Sequence, residues 1–433
     1  MSVRAVIFFL SAALAVQRQV TQQRLLNADK EPQNWLTYGG NYSGQRYSPL
    51  TQINAANVNN LHMQWAFQQR SIEKFEATPI VVDGTMYVTQ APNDIFALDA
   101  VTGEIKWMYS YSPSRDSRPC CGRVNRGVAI LGNTLFMATI DAHVVAVDAR
   151  DGKLLWDKEV AKAASGYAMT LAPLVVKNKV IVGLAGAEFG IRGFIAALDA
   201  ATGNEAWRFY TIPGKGEPGN NTWAGDSWMH GGASVWVTGT YDPETNLTFW
   251  GTGNPGPDYN SDKRGGDNLY SDSVVALDAD SGKLKWYFQF TPHDDYDYDA
   301  VQVPVLANVD WPDASGKKTP RKVMLWANRN GYFYALDRAT GTERWRSTSV
   351  RGEVRSAPVL SGGALIVASR KGLVAALDPA TGAERWTRQL EKTAFLADPL
   401  VLESGVLYVA ENGTLYRVTA PDQGAVDVLV KRG

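Results

Sequence analysis

Short apolar and β-branched stretches recur along most of the chain, and each is followed by a polar turn. Thr85-Met-Tyr-Val-Thr89 and Lys179-Val-Ile-Val-Gly183 are two examples. Each stretch precedes a phrase of the form Ala-Leu-Asp-x-x-x-Gly-x-x-x-Trp, in which Val replaces Leu once. A β-branched strand, a turn at Asp and Gly, and a second strand that carries a Trp together predict a β-hairpin.

The hairpin phrase is an internal repeat. Its aspartates are Asp99, Asp148, Asp199, Asp278, Asp337 and Asp378, each with a Gly four and a Trp eight residues later. The spacing of roughly 40 to 80 residues is typical of four-stranded blades. We predict that the segment around Trp65 is the last strand of an earlier blade. We also predict that Leu415–Val418 and Val426–Val430 belong to a final blade that lacks the Trp. The sequence therefore predicts an all-β fold, a single β-propeller domain of eight blades over residues 37–433 without long helices. Seven blades are the alternative.

The N-terminus has the pattern of an export signal. A short basic start, Met1–Arg4, precedes an apolar run from Ala5 to Val16 with a small-residue cleavage site at Ala13-Leu14-Ala15. We expect a signal peptide at residues 1–15, a polar tether at 16–36 and a periplasmic mature protein without a transmembrane segment. An uncleaved anchor is the alternative.

Composition excludes several classes of function. The net charge is −1 and 20% of residues are charged, so no basic surface is expected that would gather nucleic acid or anionic lipid. The four histidines lack zinc-site spacing, and no Cys-x-x-Cys-His motif for covalent haem occurs. Neither a Rossmann nor a P-loop fingerprint is present, which argues against a nucleotide cofactor.

Two features are not required by the repeat. Cys120 and Cys121 are adjacent and are the only cysteines. In an exported protein we expect them to be oxidised to a disulfide, a stiff wall of sulfur suited to a planar ligand. The alternative is a pair of unbonded small hydrophobic residues.

The second feature is the acidic segment Thr291–Ala300. If it is extended, Asp295, Asp297 and Asp299 share one face, where a hard cation such as Ca²⁺ would neutralise them. A solvated acidic loop is the alternative. Glu188 and Asn254 lie in glycine-rich segments and offer further oxygen ligands, which favours the metal site.

These residues resemble those of the quinoprotein alcohol dehydrogenases of the methanol and ethanol type, which use pyrroloquinoline quinone (PQQ) and a metal ion. The resemblance extends from about Trp35 to Gly341. It implies that Asp297 is the catalytic base and that Arg329 is the cationic group near the reactive carbonyls. The implied metal ligands are Glu188, Asn254, Asp297 and Asp299. The implied cofactor contacts are Glu76, Cys120, Cys121, Arg126, Thr170, Gly186, Ala187, Ser234, Trp236 and Arg329.

The resemblance also implies a reaction. A small alcohol would lose its hydroxyl proton to Asp297 and a hydride to C5 of PQQ, giving an aldehyde. Asp299, two residues beyond the base, resembles the extra carboxylate of lanthanide-using members, so we expect a lanthanide(III) ion or Ca²⁺. Without a haem motif, we expect electrons to pass to a separate cytochrome c. The oligomeric state stays open, with a homodimer as one expectation.

After about residue 342 the pattern changes. The remaining blades resemble the propeller of the outer-membrane assembly scaffold. A non-catalytic scaffold, or a degenerate protein that binds PQQ without turnover, is therefore the alternative to an enzyme.

Overall fold

The computed structural model describes residues 18–54, 56–312, 317–349, 354, 358–369, 371–390, 399–402, 405–410, 412–419 and 425–430. The predicted signal peptide at residues 1–15 lies outside these ranges. Within them the chain forms seven four-stranded antiparallel sheets. The one α-helix of the described ranges, α1 (Gln22–Leu26), has five residues, and none of their helices is long and apolar enough to cross a bilayer.

The strands follow one another in chain order within every sheet. The first three sheets comprise β1 (Ile80–Val82), β2 (Thr85–Gln90), β3 (Asp94–Asp99) and β4 (Ile105–Ser110); β5 (Val128–Leu131), β6 (Thr134–Ala138), β7 (His143–Asp148) and β8 (Leu154–Glu159); and β9 (Leu174–Val176), β10 (Lys179–Gly183), β11 (Phe194–Asp199) and β12 (Glu205–Tyr210). The next two comprise β13 (Thr240–Asp242), β14 (Leu247–Gly251), β15 (Ser273–Asp278) and β16 (Leu284–Gln289); and β17 (Val305–Pro312), β18 (Lys318–Ala327), β19 (Phe333–Asp337) and β20 (Glu343–Ser347). The last two comprise β21 (Val359–Ser361), β22 (Ala364–Ala368), β23 (Leu373–Leu377) and β24 (Glu384–Gln389); and β25 (Leu400–Leu402), β26 (Gly405–Val409), β27 (Leu415–Thr419) and β28 (Ala425–Val430).

The remaining helical segments are short 3-10 turns in the connections. They span Ala28–Lys30, Val58–Asn60, Ala163–Ser165, Ala187–Phe189, Asn220–Thr222, Ser227–His230 and Ser261–Lys263. First strands of neighbouring sheets contact each other, as β5 and β9 or β13 and β17 do, which places these strands innermost. This arrangement is the predicted β-propeller.

The repeated phrase forms the hairpin between the third and fourth strands of a blade. In the first blade the ladder shifts by one residue between Ala97 and Leu98, and Ala97 pairs with Trp107. The Asp99 carboxylate then accepts hydrogen bonds from the N–H groups of residues 101 and 102, while Gly103 has a φ of +75°. The phrase therefore encodes a bulge followed by a tight turn, in which Gly occupies a left-handed conformation.

The tryptophans join neighbouring blades. A Cβ added to Gly152 would lie 2.7 Å from the ring of Trp107, so the indole of one blade covers the turn glycine of the next. The Trp107 indole also donates a hydrogen bond to the carbonyl oxygen of Ala149. The sequence predicted a Trp on the second strand of the hairpin, and the structure shows that its indole faces the neighbouring blade.

The number of four-stranded sheets in the described ranges is seven, so the predicted eight-blade count is not confirmed. Trp65 covers Gly103 as the other tryptophans cover their glycines, in agreement with a preceding blade. Residues 61–68 nevertheless form no strand, because no described segment pairs with them. The predicted final blade without a Trp is present as β25–β28.

The N-terminal segment, residues 18–48, is packed against the sheets, although we predicted a tether over residues 16–36. Val20 pairs with Gly132 and Trp35 pairs with Val81, while Leu25 is buried. A Gln-rich composition predicted a solvated segment, but a few apolar side chains dock it onto the sheets. Further along, its backbone bonds to three later blades, at Tyr241, Leu306 and Val401.

Candidate active site

The predicted site residues lie at one end of the propeller. In each blade they either precede the first strand or follow the second strand, and these positions share an end because the strands are antiparallel. Those before first strands are Glu76, Cys120, Cys121, Arg126, Thr170, Ser234, Trp236, Asp297 and Asp299. Those after second strands are Gly186, Ala187, Glu188, Asn254 and Arg329. The hairpins of the repeat lie at the opposite end.

Arg126 connects three of the predicted cofactor contacts. Its guanidinium lies 2.6 Å from the Glu76 carboxylate and donates to the Thr170 hydroxyl at 2.9 Å. It also lies 4.9 Å above the Trp236 ring, within the range of a cation–π contact. Residues of the first four blades thus meet at the Arg126 guanidinium.

Asp299 is buried and is contacted by residues of the fourth and fifth blades. One carboxylate oxygen accepts a hydrogen bond from the Asn254 backbone N–H at 3.2 Å and lies 3.4 Å from the Trp236 indole nitrogen. The other oxygen forms an ion pair with Arg329 at 3.1 Å. A Cβ at Gly253 would lie 2.5 Å from Asp299 and 2.9 Å from the Ser234 hydroxyl, so this close packing requires glycine.

Cys120 and Cys121 form the predicted disulfide bond. A carboxylate oxygen of Glu188 lies within 4.8 Å of both sulfur atoms. Glu188 is held in a short 3-10 turn that begins at Ala187. The preceding Gly186 has a φ of +122°, and a Cβ there would lie 2.1 Å from a backbone oxygen, so this turn also requires glycine.

The acidic segment is not extended, and the prediction that Asp295, Asp297 and Asp299 share one face is wrong. Asp297 and Asp299 have φ values of +58° and +48°, which break the two-residue alternation of a strand. Asp295 turns away and accepts hydrogen bonds from the backbone and hydroxyl of Ser261. Asp297 instead lies 3.5 Å from the hydroxyl of the exposed Tyr259.

Burial dominates the electrostatics of these carboxylates. It raises the pKa of Asp297 to about 6, with a further contribution from Asp299. It raises the pKa of Asp299 to about 6 as well, although Arg329 opposes the shift. Burial raises the pKa of Glu188 too, and the carboxylates of Asp258 and Asp297 add to it. Negative charge is therefore concentrated around the buried Asp299, where solvent stabilises it least.

This donor set fits a hard cation. Glu188, Asp297 and Asp299 offer carboxylate oxygens in an anionic environment, with Asp299 buried, Asp297 half-buried and Glu188 exposed, and Ca²⁺ or a trivalent ion would neutralise them. The Asn254 amide nitrogen donates to the Asp258 carboxylate at 2.7 Å, which leaves its Oδ1 for a cation. The chemistry of these oxygen donors is thus compatible with binding a hard metal ion.

Sequence reasoning missed several residues that support the site. Asp294 accepts hydrogen bonds from the N–H groups of residues 296 and 298 and thereby shapes the loop that carries Asp297. Asp258 orients the Asn254 side chain. Arg264 is buried between the loop of residues 257–268 and the loop of residues 291–300. Asp294 lies within the acidic run Thr291–Ala300, which the sequence analysis identified only as a whole. Asp258 and Arg264 are isolated charged residues, and such residues are too common in loops to indicate a role.

Comparison with known proteins identifies two families along the chain. The sequence profile of the glucose/ethanol/alcohol dehydrogenase β-propeller domain, a PQQ domain, matches residues 35–348. The profile of the outer membrane protein assembly factor BamB matches residues 329–426. The predicted change of pattern near residue 342 is therefore confirmed.

Individual relatives show the same relationship. The chain is 42% identical to the quinoprotein alcohol dehydrogenase PedH of Pseudomonas putida over 361 residues, which are 78% of this chain and 59% of that protein. It is 39% identical to a lanthanide-dependent methanol dehydrogenase of Methylacidiphilum fumariolicum over 73% of this chain and 55% of the relative. The crystal structure of the quinohemoprotein alcohol dehydrogenase from Comamonas testosteroni superposes with a TM-score of 0.84 at 30% identity, covering 94% of this chain and 74% of that one.

The chain spans about half the length of the curated relatives that it matches. The family profile covers residues 35–348, which is more than half of the chain. The chain therefore belongs to the PQQ β-propeller family of the glucose, ethanol and alcohol dehydrogenases.

Proposed function

We propose that this protein is a periplasmic PQQ- and metal-dependent dehydrogenase that oxidises small alcohols to aldehydes and passes electrons to a separate cytochrome c. The observation that carries the proposal is the convergence on Asp299 of Trp236, Asn254 and Arg329 from two blades. Structural ion pairs are common, but Asp299 also interacts electrostatically with Glu188, and a carboxylate oxygen of Glu188 lies within 4.8 Å of both sulfur atoms of the disulfide.

The residues at this end would hold the cofactor as follows. Arg126 would bind a PQQ carboxylate, since it already binds the carboxylate of Glu76. The Cys120–Cys121 disulfide would lie on one face of the ring system and Trp236 on the other. Thr170, Gly186, Ala187 and Ser234 would complete the cofactor contacts, and Glu188, Asn254, Asp297 and Asp299 the metal site.

When bound, PQQ supplies a hydride acceptor and the metal ion supplies Lewis acidity at its carbonyl. Asp297 removes the hydroxyl proton of the alcohol, a role suited to a carboxylate whose pKa burial raises to about 6. Arg329 lies beside Asp299 and would stabilise negative charge that develops on an oxygen nearby. Burial of these groups strengthens both effects, because water screens them less.

The choice of metal rests on Asp299. Three carboxylates around one ion favour a trivalent cation over Ca²⁺, because each added anion must be neutralised. The lanthanide-dependent relative supports this choice. We therefore place a lanthanide first and Ca²⁺ second.

The proposal is tested by reconstitution. Purified protein would be given PQQ with Ca²⁺ or a light lanthanide, an artificial dye acceptor and a panel of primary alcohols. Dye reduction is expected only with both PQQ and metal, and Asp297→Ala should abolish it. Asp262→Asn removes an exposed carboxylate of a neighbouring loop and should leave the rate unchanged.

The same assay separates the metals and the rival functions. In Asp299→Ala, lanthanide-dependent activity should fall more than Ca²⁺-dependent activity. The match of residues 329–426 to the BamB profile favours, as the second candidate, a non-catalytic scaffold. PQQ binding without turnover would indicate a degenerate binder, and neither binding nor turnover would support the scaffold.

A further inference from the structure

Arg264 is a charged side chain that is fully enclosed by protein. It lies in the loop that follows Asn254, directly after the 3-10 turn Ser261–Lys263, and its exposed fraction is 0%. Burial of a guanidinium is costly unless its donors are satisfied. Burial accordingly lowers the pKa of Arg264, although four aspartates near it oppose the shift.

The donors of Arg264 are used on two different loops. On its own loop the guanidinium donates to the carbonyl oxygen of Pro257 at 3.2 Å and to the Asn268 side-chain oxygen at 2.8 Å. Across the gap it donates to the carbonyl oxygen of Asp294 and lies 3.6 Å from the Asp295 carboxylate. One rigid, planar group therefore joins the 257–268 loop to the loop of residues 291–300.

The loop of residues 257–268 supports one proposed metal ligand, Asn254, and the loop of residues 291–300 carries another, Asp297. Asp258, next to Pro257, holds the amide nitrogen of Asn254 at 2.7 Å. Asp294 accepts the N–H groups of residues 296 and 298 and so sets the turn that carries Asp297. Within the described residues, the hydrogen bonds of Arg264 thus reach the supports of both ligands and not the ligands themselves.

We propose that Arg264 is a positioning residue that sets the separation between Asn254 and Asp297, and thereby the affinity of the site for a metal ion. The inference rests on the metal site of the proposed function. Lysine cannot replace the guanidinium, because a single ammonium group does not present the planar fork that spans two loops. Removing such an outer support typically lowers metal affinity by about 10–100-fold.

A buried arginine elsewhere provides the matched control. Arg338 is also enclosed and forms an ion pair with Asp242 at 3.0 Å. It follows β19 and Asp242 ends β13, so both lie at the opposite end of the propeller from the site. Its substitution should affect stability in the same way without reaching the metal ligands.

The test is a terbium(III) titration of metal-free full-length protein, followed by lanthanide luminescence excited through tryptophan. Arg264→Lys should weaken terbium binding about 10-fold or more, whereas Arg338→Lys should bind as wild type does. In Arg264→Ala, added guanidinium should restore part of the affinity and methylammonium should not. A purely structural loss would respond to neither cation.

Thermal melting of both Lys variants shows whether each is folded. If Arg264→Lys does not fold, Asp258→Asn takes its place, because it releases Asn254 from the same chain of contacts and should also weaken terbium binding. Wild-type affinity in either folded variant would overturn the role of Arg264 and leave the proposed function intact. Absence of terbium binding in wild type would overturn both.

Discussion

At the scale of single residues, the site depends on positions where a side chain would occupy the space of a functional atom. Gly253 is such a position, since its Cα faces both Asp299 and Ser234. Gly186 is another, where the backbone turns towards Glu188. At Gly253, glycine lets the fourth and fifth blades approach closely enough for their polar groups to meet.

We expect Gly253→Ala to displace Asp299. The added methyl group would lie 2.5 Å from a carboxylate oxygen, so terbium affinity should fall about tenfold, in the range for a disturbed supporting residue. Stability should fall by about 1–3 kcal/mol through overpacking. Terbium titration and chemical unfolding would measure the two effects.

Gly265→Ala is the control for that substitution. Its Cβ would meet Ala224 at 3.6 Å, an ordinary contact, so neither quantity should change appreciably. An equal loss of metal affinity in both variants would contradict the assignment of the effect to Asp299.

At the scale of elements, the repeat acts between blades as well as within them. The turn glycine of one blade forms the seat for the indole of the preceding blade, which explains why Gly and Trp occur in the same phrase. Ala, rather than a larger residue, pairs across the hairpin with Trp because the indole needs the room. Each phrase therefore encodes a hairpin and half of an interface.

The interblade contact can be tested at Trp207. This buried side chain covers Gly282 and donates a hydrogen bond to the Ala279 carbonyl oxygen at 3.2 Å. Trp207→Ala should lower the free energy of unfolding by about 3–5 kcal/mol. Trp207→Phe keeps a ring over the glycine and should cost less, with about 1 kcal/mol from the lost hydrogen bond.

Trp286 offers a matched comparison. It covers Gly341 in the same way, but within the described part of the chain its indole N–H has no hydrogen-bond partner. Trp286→Phe should therefore destabilise less than Trp207→Phe in the same denaturant experiment. Equal losses would mean that the ring, and not the hydrogen bond, accounts for both.

At the scale of the whole molecule, the N-terminal segment links blades that are distant in sequence. Its backbone bonds to the first and second blades early on, and to the fourth, fifth and seventh blades further along. An ion-pair cluster fixes its beginning, with Arg24 at 2.6 Å from Glu31 and 3.0 Å from Asp83. These side chains are mostly buried, so the cluster is screened less than a surface pair.

This cluster predicts a pH-dependent contribution to stability. The hydrogen bond from Arg24 lowers the pKa of Glu31 below its ordinary value. The stabilisation is therefore complete above the unfolded-state pKa of about 4.3 and is lost as the pH falls through the lower folded-state pKa. Glu31→Gln should cost about 1–3 kcal/mol at neutral pH.

Melting temperatures of wild type and Glu31→Gln as a function of pH would measure this effect. The difference between them should be constant near neutrality and should shrink in acid. A difference that grows as the pH falls would contradict the proposed ion pair. Lys162→Gln is the control. It removes an exposed ion pair with Glu159 that solvent screens, so the melting temperature should change little at any pH.

Elements that depend on local chemistry could be predicted from the sequence. A hairpin needs only neighbouring residues, so Asp99, Gly103 and Trp107 with their repeats predicted the blades and their strands. The disulfide was likewise predicted from the adjacency of Cys120 and Cys121, together with the expectation of export. The resemblance of separate motifs in family order supplied the list of candidate site residues.

Tertiary structure decided what depends on residues distant in the chain. The course of the loop at residues 291–300 is set by Asp294 and by contacts with Arg264 and Ser261, so no local pattern could show that Asp295 leaves the site. The docking of the N-terminal segment and the number of complete sheets have the same origin. Both features depend on contacts between surfaces that are distant in sequence. Such contacts exist only in the folded chain, so no local pattern encodes them.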